Sequence, residues 1–418
     1  MHTLVITNDF PPRFGGIETF IAELVSRFPP AEVTILAANR APFTPAQLAQ
    51  ADSKLPYQVV RHPSRTLLPT PSVTRFAARL AGEVRADAIW FGGGAPLPLM
   101  ADDLRRRLDL GRIVATTHGH EVWWAAFPGP RQALRRIGDS VDAITYITSY
   151  TGRRIARALS RAAHERMVLL SPGVTPTAFA ADAANRLSVN DAHLATPPAQ
   201  TKAFPSVEAF AGAARLGSAN DGAEPSLEFG SGPLVLCVSR LVPRKGQDQL
   251  IRAWPTVTAS HPEAKLVIGG TGPYESKLRR LAAASPAAGS IILAGRIPDC
   301  QLADLYRSAT VFAMPCRSRA LGLEVEGLGI VYLEAAAAGL PVVAGASGGA
   351  PDAVLPGQTG HVVDGRRWQP SAARIIELLD DPAGAAAMGA AGRDWVRRDW
   401  DWQTRYETLS ALLHPQPE

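Results

Sequence analysis

Three cysteines, Cys237, Cys300 and Cys316, are all that 418 residues hold, and their spacing suits neither a disulfide framework nor a zinc ligand set. That scarcity is expected of a reduced, cytoplasmic protein. No run of about 18 apolar residues occurs, which argues against a membrane span. No basic leader or long apolar segment precedes the first strand-like run, residues 3–7, so a secretory address is not expected either. A complete G-x-G-x-x-G loop is missing, which weakens a nicotinamide or flavin reading, and so is the helical H-E-x-x-H pattern of a metal centre. No metal and no cofactor are therefore expected. Like charges do not gather in one tail. The 43 basic and 38 acidic residues, net +5, are scattered, which disfavours a nucleic-acid partner and leaves an anionic substrate or an anionic membrane surface.

What is present is a chain of 46% hydrophobic and 19% charged residues, the balance of a soluble globular protein, and long enough for two cores. Strand-like runs at 3–7, 33–37, 57–61, 88–91, 112–117, 143–148 and 168–170 alternate with helical stretches. A second series follows at 233–239, 265–269, 290–294, 311–314 and 341–344. Such alternation calls for parallel sheets covered on both faces, an α/β protein of two halves. Between them residues 180–232 lose all periodicity and are rich in Ala, Pro, Ser, Thr, Asn and Gly, the composition of a linker with an insertion. The expected domains are 1–179, the linker 180–232, a second half 233–391, and a terminal helix 392–418. Asp399 and Asp401, flanking Trp400, mimic a metal-binding D-x-D, but among packing tryptophans they read as structural.

The chemistry collects in the turns after strands, where open parallel sheets bind ligands. After the first strand come Asn8, Asp9, Gly15 and Gly16, then a helix; the paired glycines either admit a ligand to the helix N-terminus or simply make a turn. After 112–117 come His118, Gly119, His120 and Glu121; His118 reads as a polar substrate contact, with a packed histidine or a metal ligand as the other possibilities. After 233–239 come Arg240, Arg244 and Lys245, suited to phosphate or to plain solvent. The turn after 290–294 carries Arg296 and Ile297. Glu326, Gly327, Leu328, Gly329 and Ile330 lead into an Ala-rich helix with Glu334 two turns inside it. Unpaired amides at such an N-terminus attract anions, and a helical wheel brings the two carboxylates towards one face. Two sheet edges turned towards each other would make a cleft between domains.

These motifs together resemble the retaining GT-B glycosyltransferases of family 4, and within it the mannosyltransferases that act on phosphatidylinositol mannosides. The resemblance covers nearly the whole chain except 180–232 and is densest at 7–17, 117–121, 239–248 and 316–349. It implies two Rossmann-like domains across a cleft, with the C-terminal helix crossing back to the first. It also implies Arg240 and Lys245 on the donor diphosphate, with Gly15 and Gly16 approaching from the other domain. Glu334 would hold the ribose, the Arg296 and Ile297 backbone the base, and Glu326 with Gly327, Leu328, Gly329 and Ile330 the sugar. His118 would lie beside the reacting sugar, and Asn8 and Asp9 on the acceptor side. The implied donor is GDP-mannose, the acceptor a phosphoinositide-type glycolipid, and the location peripheral on the inner membrane face. Arg75, Arg79, Arg105, Arg106, Arg107, Arg131, Arg135 and Arg136 are the candidate bilayer-facing cations, or else solvated helix faces. A UDP-sugar transferase with another acceptor, an epimerase of the same fold, and a non-catalytic binding protein are the competing readings.

Overall fold

A computed structural model describes residues 1–13, 15–39, 42–175, 215–216, 227–228 and 232–415. Contacts divide the chain into two units, residues 1–173 with 400–418, and residues 174–399.

The first unit is built on strands β1 (Thr3–Thr7), β2 (Val33–Ala38), β3 (Gln58–His62), β4 (Ala88–Phe91), β5 (Arg112–Thr117), β6 (Ala143–Tyr146) and β7 (Met167–Leu169). All pair in parallel, in the order β3-β2-β1-β4-β5-β6-β7. Every residue of β1 and β4 is buried, because helices cover both sheet faces; a strand buried on both sides must be a continuous apolar run and cannot alternate. Helix Pro71–Glu83 turns Val73, Ala77 and Leu80 onto one face, against Leu4, Ile6 and Ile89.

Two short strands, β8 (Arg215–Leu216) and β9 (Leu227–Glu228), pair antiparallel. The remainder of the expected linker at 180–231 lies outside the described residues.

The second unit repeats the plan with β10 (Leu234–Val238), β11 (Lys265–Gly269), β12 (Ile291–Gly295), β13 (Val311–Met314), β14 (Val342–Gly345) and β15 (Gly360–Val363), in the order β12-β11-β10-β13-β14-β15. Both sheets reverse their winding once, between β1 and β4 and between β10 and β13. At such a reversal the two flanking loops diverge above the strand ends and leave a crevice.

Three features differ from the sequence expectations. The division by contacts falls after residue 173, where the sequence reading puts its boundary at 179. The terminal stretch 392–413 is two helices, Pro382–Asp399 in the second unit and Trp402–Leu413 in the first. The break has a cap: Asp401 is extended, and its carboxylate accepts from Gln403 N at 2.9 Å and Thr404 N at 3.2 Å. Trp395, Trp400 and Trp402 are all buried, so the Asp-Trp-Asp triplet ends one helix and starts another. Trp402 packs edge-on to Phe20 at 5.8 Å, and Leu409 and Leu413 join it in the core beside Val5, Ile35 and Trp90. Finally, the edge strand β15 has no counterpart in the sequence reading.

Candidate functional site

In the second unit the loops after β10 and β13 meet over the reversal point. After β10 a turn at Pro243–Lys245 leads to Gly246, whose φ of 81° is the left-handed conformation glycine favours; a Cβ there would lie 2.0 Å from the Pro315 carbonyl oxygen. Helix Gln247–Ser260 then starts, and Asp248 in its first turn takes a two-pronged bond from Arg317 of the β13 loop, at 2.9 and 3.0 Å. Arg317 N also donates to Arg244 O at 2.8 Å. The two loops are thus laced together, and across the lacing Lys245 Nζ lies 2.8 Å from Glu326 Oε2, both side chains nearly buried. Arg244 Nε stands 4.0 Å from the same oxygen. Arg240 is exposed and, among the described residues, has no carboxylate within ion-pair range.

Glu326 is held by its backbone as well. Its N–H donates to Ser347 Oγ at 3.3 Å and its carbonyl accepts from Gly349 N at 2.9 Å. Gly348, at φ 56°, passes so close that a Cβ would sit 2.0 Å from that carbonyl. Helix Ile330–Ala337 begins at Ile330 with Gly329 as its cap, so the amides of Gly327, Leu328, Gly329 and Ile330 come before the first intrahelical bond. Among the described residues they find no backbone or side-chain acceptor. The late start corrects the expected geometry: Glu334 is the fifth helical residue, little more than one turn in, and Glu326 lies outside the helix, so no helical wheel relates them. Glu334 has its own partner, accepting from Tyr306 Oη at 2.9 Å. Burial, and then the Glu334 charge, holds the Tyr306 hydroxyl well above its ordinary range, so it stays a donor. Arg296 and Ile297 follow β12, the arginine exposed and Ile297 close over Gly269.

Behind the loops two cysteines are sealed in. Burial pushes both the Cys237 and the Cys316 thiol up to about 12, so neither is a thiolate at neutral pH. The buried Tyr332 donates to Met314 O at 2.6 Å and supports the β13 loop from below.

In the first unit the loops after β1, β4 and β5 carry the expected residues. His118 Nε2 donates to Gly92 O at 2.6 Å, which assigns the ring hydrogen to Nε2 and leaves Nδ1 as an acceptor. Burial holds its pKa below the ordinary 6.5, so the ring is neutral at pH 7. Its ring meets Phe20 edge-on at 5.1 Å. Glu121 is fully buried: Oε1 accepts from Gly94 N at 3.0 Å, and Oε2 from His118 N at 3.0 Å and Gly119 N at 3.1 Å. It is a staple between two loops. Gly15 is fully extended and faces Glu18, whose buried carboxylate pairs with Arg13 at 3.2 Å; a Cβ on Gly16 would meet nothing within 4 Å. Asn8 spends its amide on Leu67, donating to its carbonyl at 3.0 Å and accepting from its N–H at 2.7 Å. Asp9 stands 3.8 Å from Arg13.

Tyr306, Asp248, Arg317 and the stapling role of Glu121 were missed by the sequence reading. Each acts through a partner distant in sequence, and only the 239–248 and 316–349 motifs hinted at the second pair. A shallow hollow of about 300 Å³ in the first unit, lined by Asp102, Gln132, Arg135, Arg136, Asp139 and Ser140, lies away from these loops. Among the described residues no three His, Cys, Asp or Glu side chains are grouped to hold a metal ion.

The comparisons agree with this layout. Residues 14–178 match the model of "Glycosyltransferase Family 4" and residues 222–395 that of "Glycosyl transferases group 1". The chain is 41% identical, over 99% of its length and 98% of the relative's, to the GDP-mannose-dependent monoacylated alpha-(1-6)-phosphatidylinositol monomannoside mannosyltransferase of Corynebacterium glutamicum. It is 42% identical to the GDP-mannose-dependent alpha-(1-6)-phosphatidylinositol monomannoside mannosyltransferase of Mycolicibacterium smegmatis, over 99% of both chains. Among solved structures, Anabaena HepE in complex with UDP superposes with a TM-score of 0.74 at 15% identity, covering 100% of both chains. Sucrose-phosphate synthase from Thermosynechococcus elongatus does so with 0.69 at 20% identity, covering 99% and 98%. At those identities the likeness is one of fold. The chain belongs to glycosyltransferase family 4 and has the two Rossmann-like domains of the GT-B fold.

Proposed function

We propose that this glycosyltransferase moves a mannosyl group from GDP-mannose to a phosphatidylinositol mannoside, with retention of configuration and without a metal, on the inner face of the plasma membrane. The observation that carries the reading is the end-to-end likeness to two transferases named for that donor and acceptor. The geometry of the second unit supports it. Departure of a nucleoside diphosphate builds negative charge on phosphate oxygens, and stabilising that charge is the main catalytic demand. Arg240 is an exposed cation with no carboxylate in ion-pair range among the described residues, Lys245 reaches across to Glu326, and the amides of Gly327 to Ile330, without an acceptor among the described residues, lie beside Glu326. In this assignment Arg240 and Lys245 take the diphosphate, and Glu326 with the amides takes the hexose. Glu334 takes the ribose, and the Arg296 and Ile297 backbone takes the base.

The acceptor hydroxyl oxygen bonds to C1 of mannose as the C1–O bond to the phosphate breaks. The hydroxyl proton passes to the departing phosphate oxygen, and GDP leaves. His118, neutral and with Nδ1 free to accept, suits a hydroxyl contact rather than a proton donor. Asn8, bonded to Leu67, and Asp9, 3.8 Å from Arg13, are the acceptor-side candidates.

The test incubates the purified chain with GDP-mannose or a UDP-sugar panel, with and without phosphatidylinositol monomannoside. Nucleotide release is followed and the product linkage read by NMR. Acceptor-dependent GDP release with an α-mannoside product is the expected result. Turnover of the donor without acceptor would indicate the epimerase, and preference for a UDP-sugar would overturn the donor.

A further inference from the structure

The turn that follows the His118 loop is unusual for its exposed aromatics. Trp123 is 42% and Phe127 47% exposed, and they lie 6.3 Å apart, centroid to centroid. Trp124, 5.4 Å from Trp123, points the other way and packs beside Leu134 and Ile155. A lone exposed aromatic needs no explanation, but two adjoining ones on a turn of Ala126, Pro128 and Gly129, all exposed, form a small apolar promontory. Helix Pro128–Ser140 leads away from it with Leu134, Ile137 and Gly138 inward. Within the helix Arg131 and Arg135, four residues apart, share its exposed side, with Arg136 beside them and Asp139 between Arg135 and Arg136. Among the described residues none of Arg131, Arg135 and Arg136 reaches a carboxylate within ion-pair range, and Arg131 bonds the Arg157 carbonyl at 2.6 Å, which adds the exposed Arg157 to the group.

Of the other arginines considered from sequence, four are engaged. Arg105 pairs with Asp142 at 2.8 Å, Arg106 and Arg107 pair with Asp103 at 3.1 and 2.9 Å, and Arg79 lies over Phe76. An aromatic tip beside exposed arginines that no described carboxylate reaches within ion-pair range matches one environment closely, the boundary of an anionic bilayer. There indole and phenyl rings settle at headgroup depth and guanidinium groups meet lipid phosphates.

We infer that the Trp123–Phe127 turn and the arginine face of helix Pro128–Ser140 form the membrane-docking surface of this protein, committed to an anionic lipid bilayer. The inference deepens the lipid-acceptor reading and rests on it for the choice of occupant. The turn begins five residues after His118, so docking would bring the acceptor-side loop to the lipid.

Flotation of the full chain with phosphatidylcholine vesicles containing phosphatidylinositol, against pure phosphatidylcholine, tests it. Wild type should bind the anionic vesicles, weaken with added salt, and bind pure phosphatidylcholine poorly. Trp123→Ser/Phe127→Ser should lose about tenfold or more, and Arg135→Gln/Arg136→Gln about fivefold per charge removed, with unchanged circular dichroism and melting. Wild-type flotation in both variants, or no wild-type flotation at low salt, overturns the proposal. So does a lipid-free dimer that Trp123→Ser/Phe127→Ser dissociates without affecting flotation, because the turn would then be covered by a second copy. GDP-mannose turnover on detergent-dispersed acceptor reads the functional assignment separately: loss of one result leaves the other standing.

Discussion

Lys245→Ala tests the heart of the donor assignment, because one ammonium group is asked to do two things. At 2.8 Å from Glu326 Oε2 its gross attraction is about 6 kcal/mol at an effective dielectric of about 20, against about 4 kcal/mol from Arg244 at 4.0 Å. Desolvation of both groups offsets much of that, but removing one partner leaves a nearly buried carboxylate with a single distant cation. Breaking such pairs costs about 3–5 kcal/mol, and the remaining Arg244 places this case near the lower end. Turnover should fall separately by about 10²-fold, the equivalent of about 3 kcal/mol, for one lost donor to the departing phosphate. Lys245→Ala/Glu326→Gln separates the two effects. Neutralising Glu326 removes the stranded charge, so urea unfolding should recover most of the stability, while GDP release from GDP-mannose stays at or below the single-mutant rate. Wild-type turnover in Lys245→Ala would refute the phosphate role. Recovery of turnover together with stability in the double variant would show that Lys245 serves only as the counter-ion of Glu326.

Gly16→Ala should fold and melt like wild type, since its Cβ meets nothing within 4 Å, yet raise KM for GDP-mannose about tenfold if backbone approaches ligand there; an unchanged KM removes Gly16 from the site. Tyr306→Phe removes one hydrogen-bond donor to Glu334 and should raise the donor KM by about 1 kcal/mol, roughly fivefold, with kcat little changed; an equal loss in kcat would contradict a ribose-binding role. His118, with its folded pKa below 6.5, contributes stability that is present above pH 6.5 and lost as pH falls through the folded pKa, because the unfolded chain binds the proton first. His62, His361 and His414 share this direction, so His118→Phe should flatten, not abolish, the decline in stability from about pH 7 to about pH 5; parallel pH profiles would disprove it.

Much of the fold was legible because parallel strands covered on both sides must be apolar throughout. Leu4, Val5 and Ile6, and Ala88 to Phe91, are unbroken runs of that kind, ended by polar or glycine residues where the loops begin. Strand β15 escaped notice because Gly360 and His361 dilute its short run, and its position at the sheet edge asks less of its sequence. The break at Trp400 was hidden for another reason. The helical pattern continues across it, and the interruption rests on the Asp401 side chain capping a new helix. Loop positions of the candidate site followed from the strand ends, but its wiring did not. Tyr306 with Glu334, Arg317 with Asp248, and Glu121 with Gly94 are pairs that no local period encodes.

That wiring sorts three carboxylates that sequence alone treats alike. Glu121 is fully buried and accepts from backbone amides on both oxygens, so its negative charge is used to fix the His118 loop. Glu334 takes a neutral hydroxyl from Tyr306, a bond that orients the carboxylate without cancelling its charge, which is the condition for gripping hydroxyl groups. Glu326 is paired with Lys245, and that pairing is of a different kind because the lysine is a point cation that a diphosphate would attract more strongly than one carboxylate can. A donor phosphate competing for Lys245 would release Glu326 to hydrogen-bond the hexose beside it. In the proposed assignment the ion pair would be a resting contact that holds two nearly buried opposite charges together until the donor's groups replace each partner.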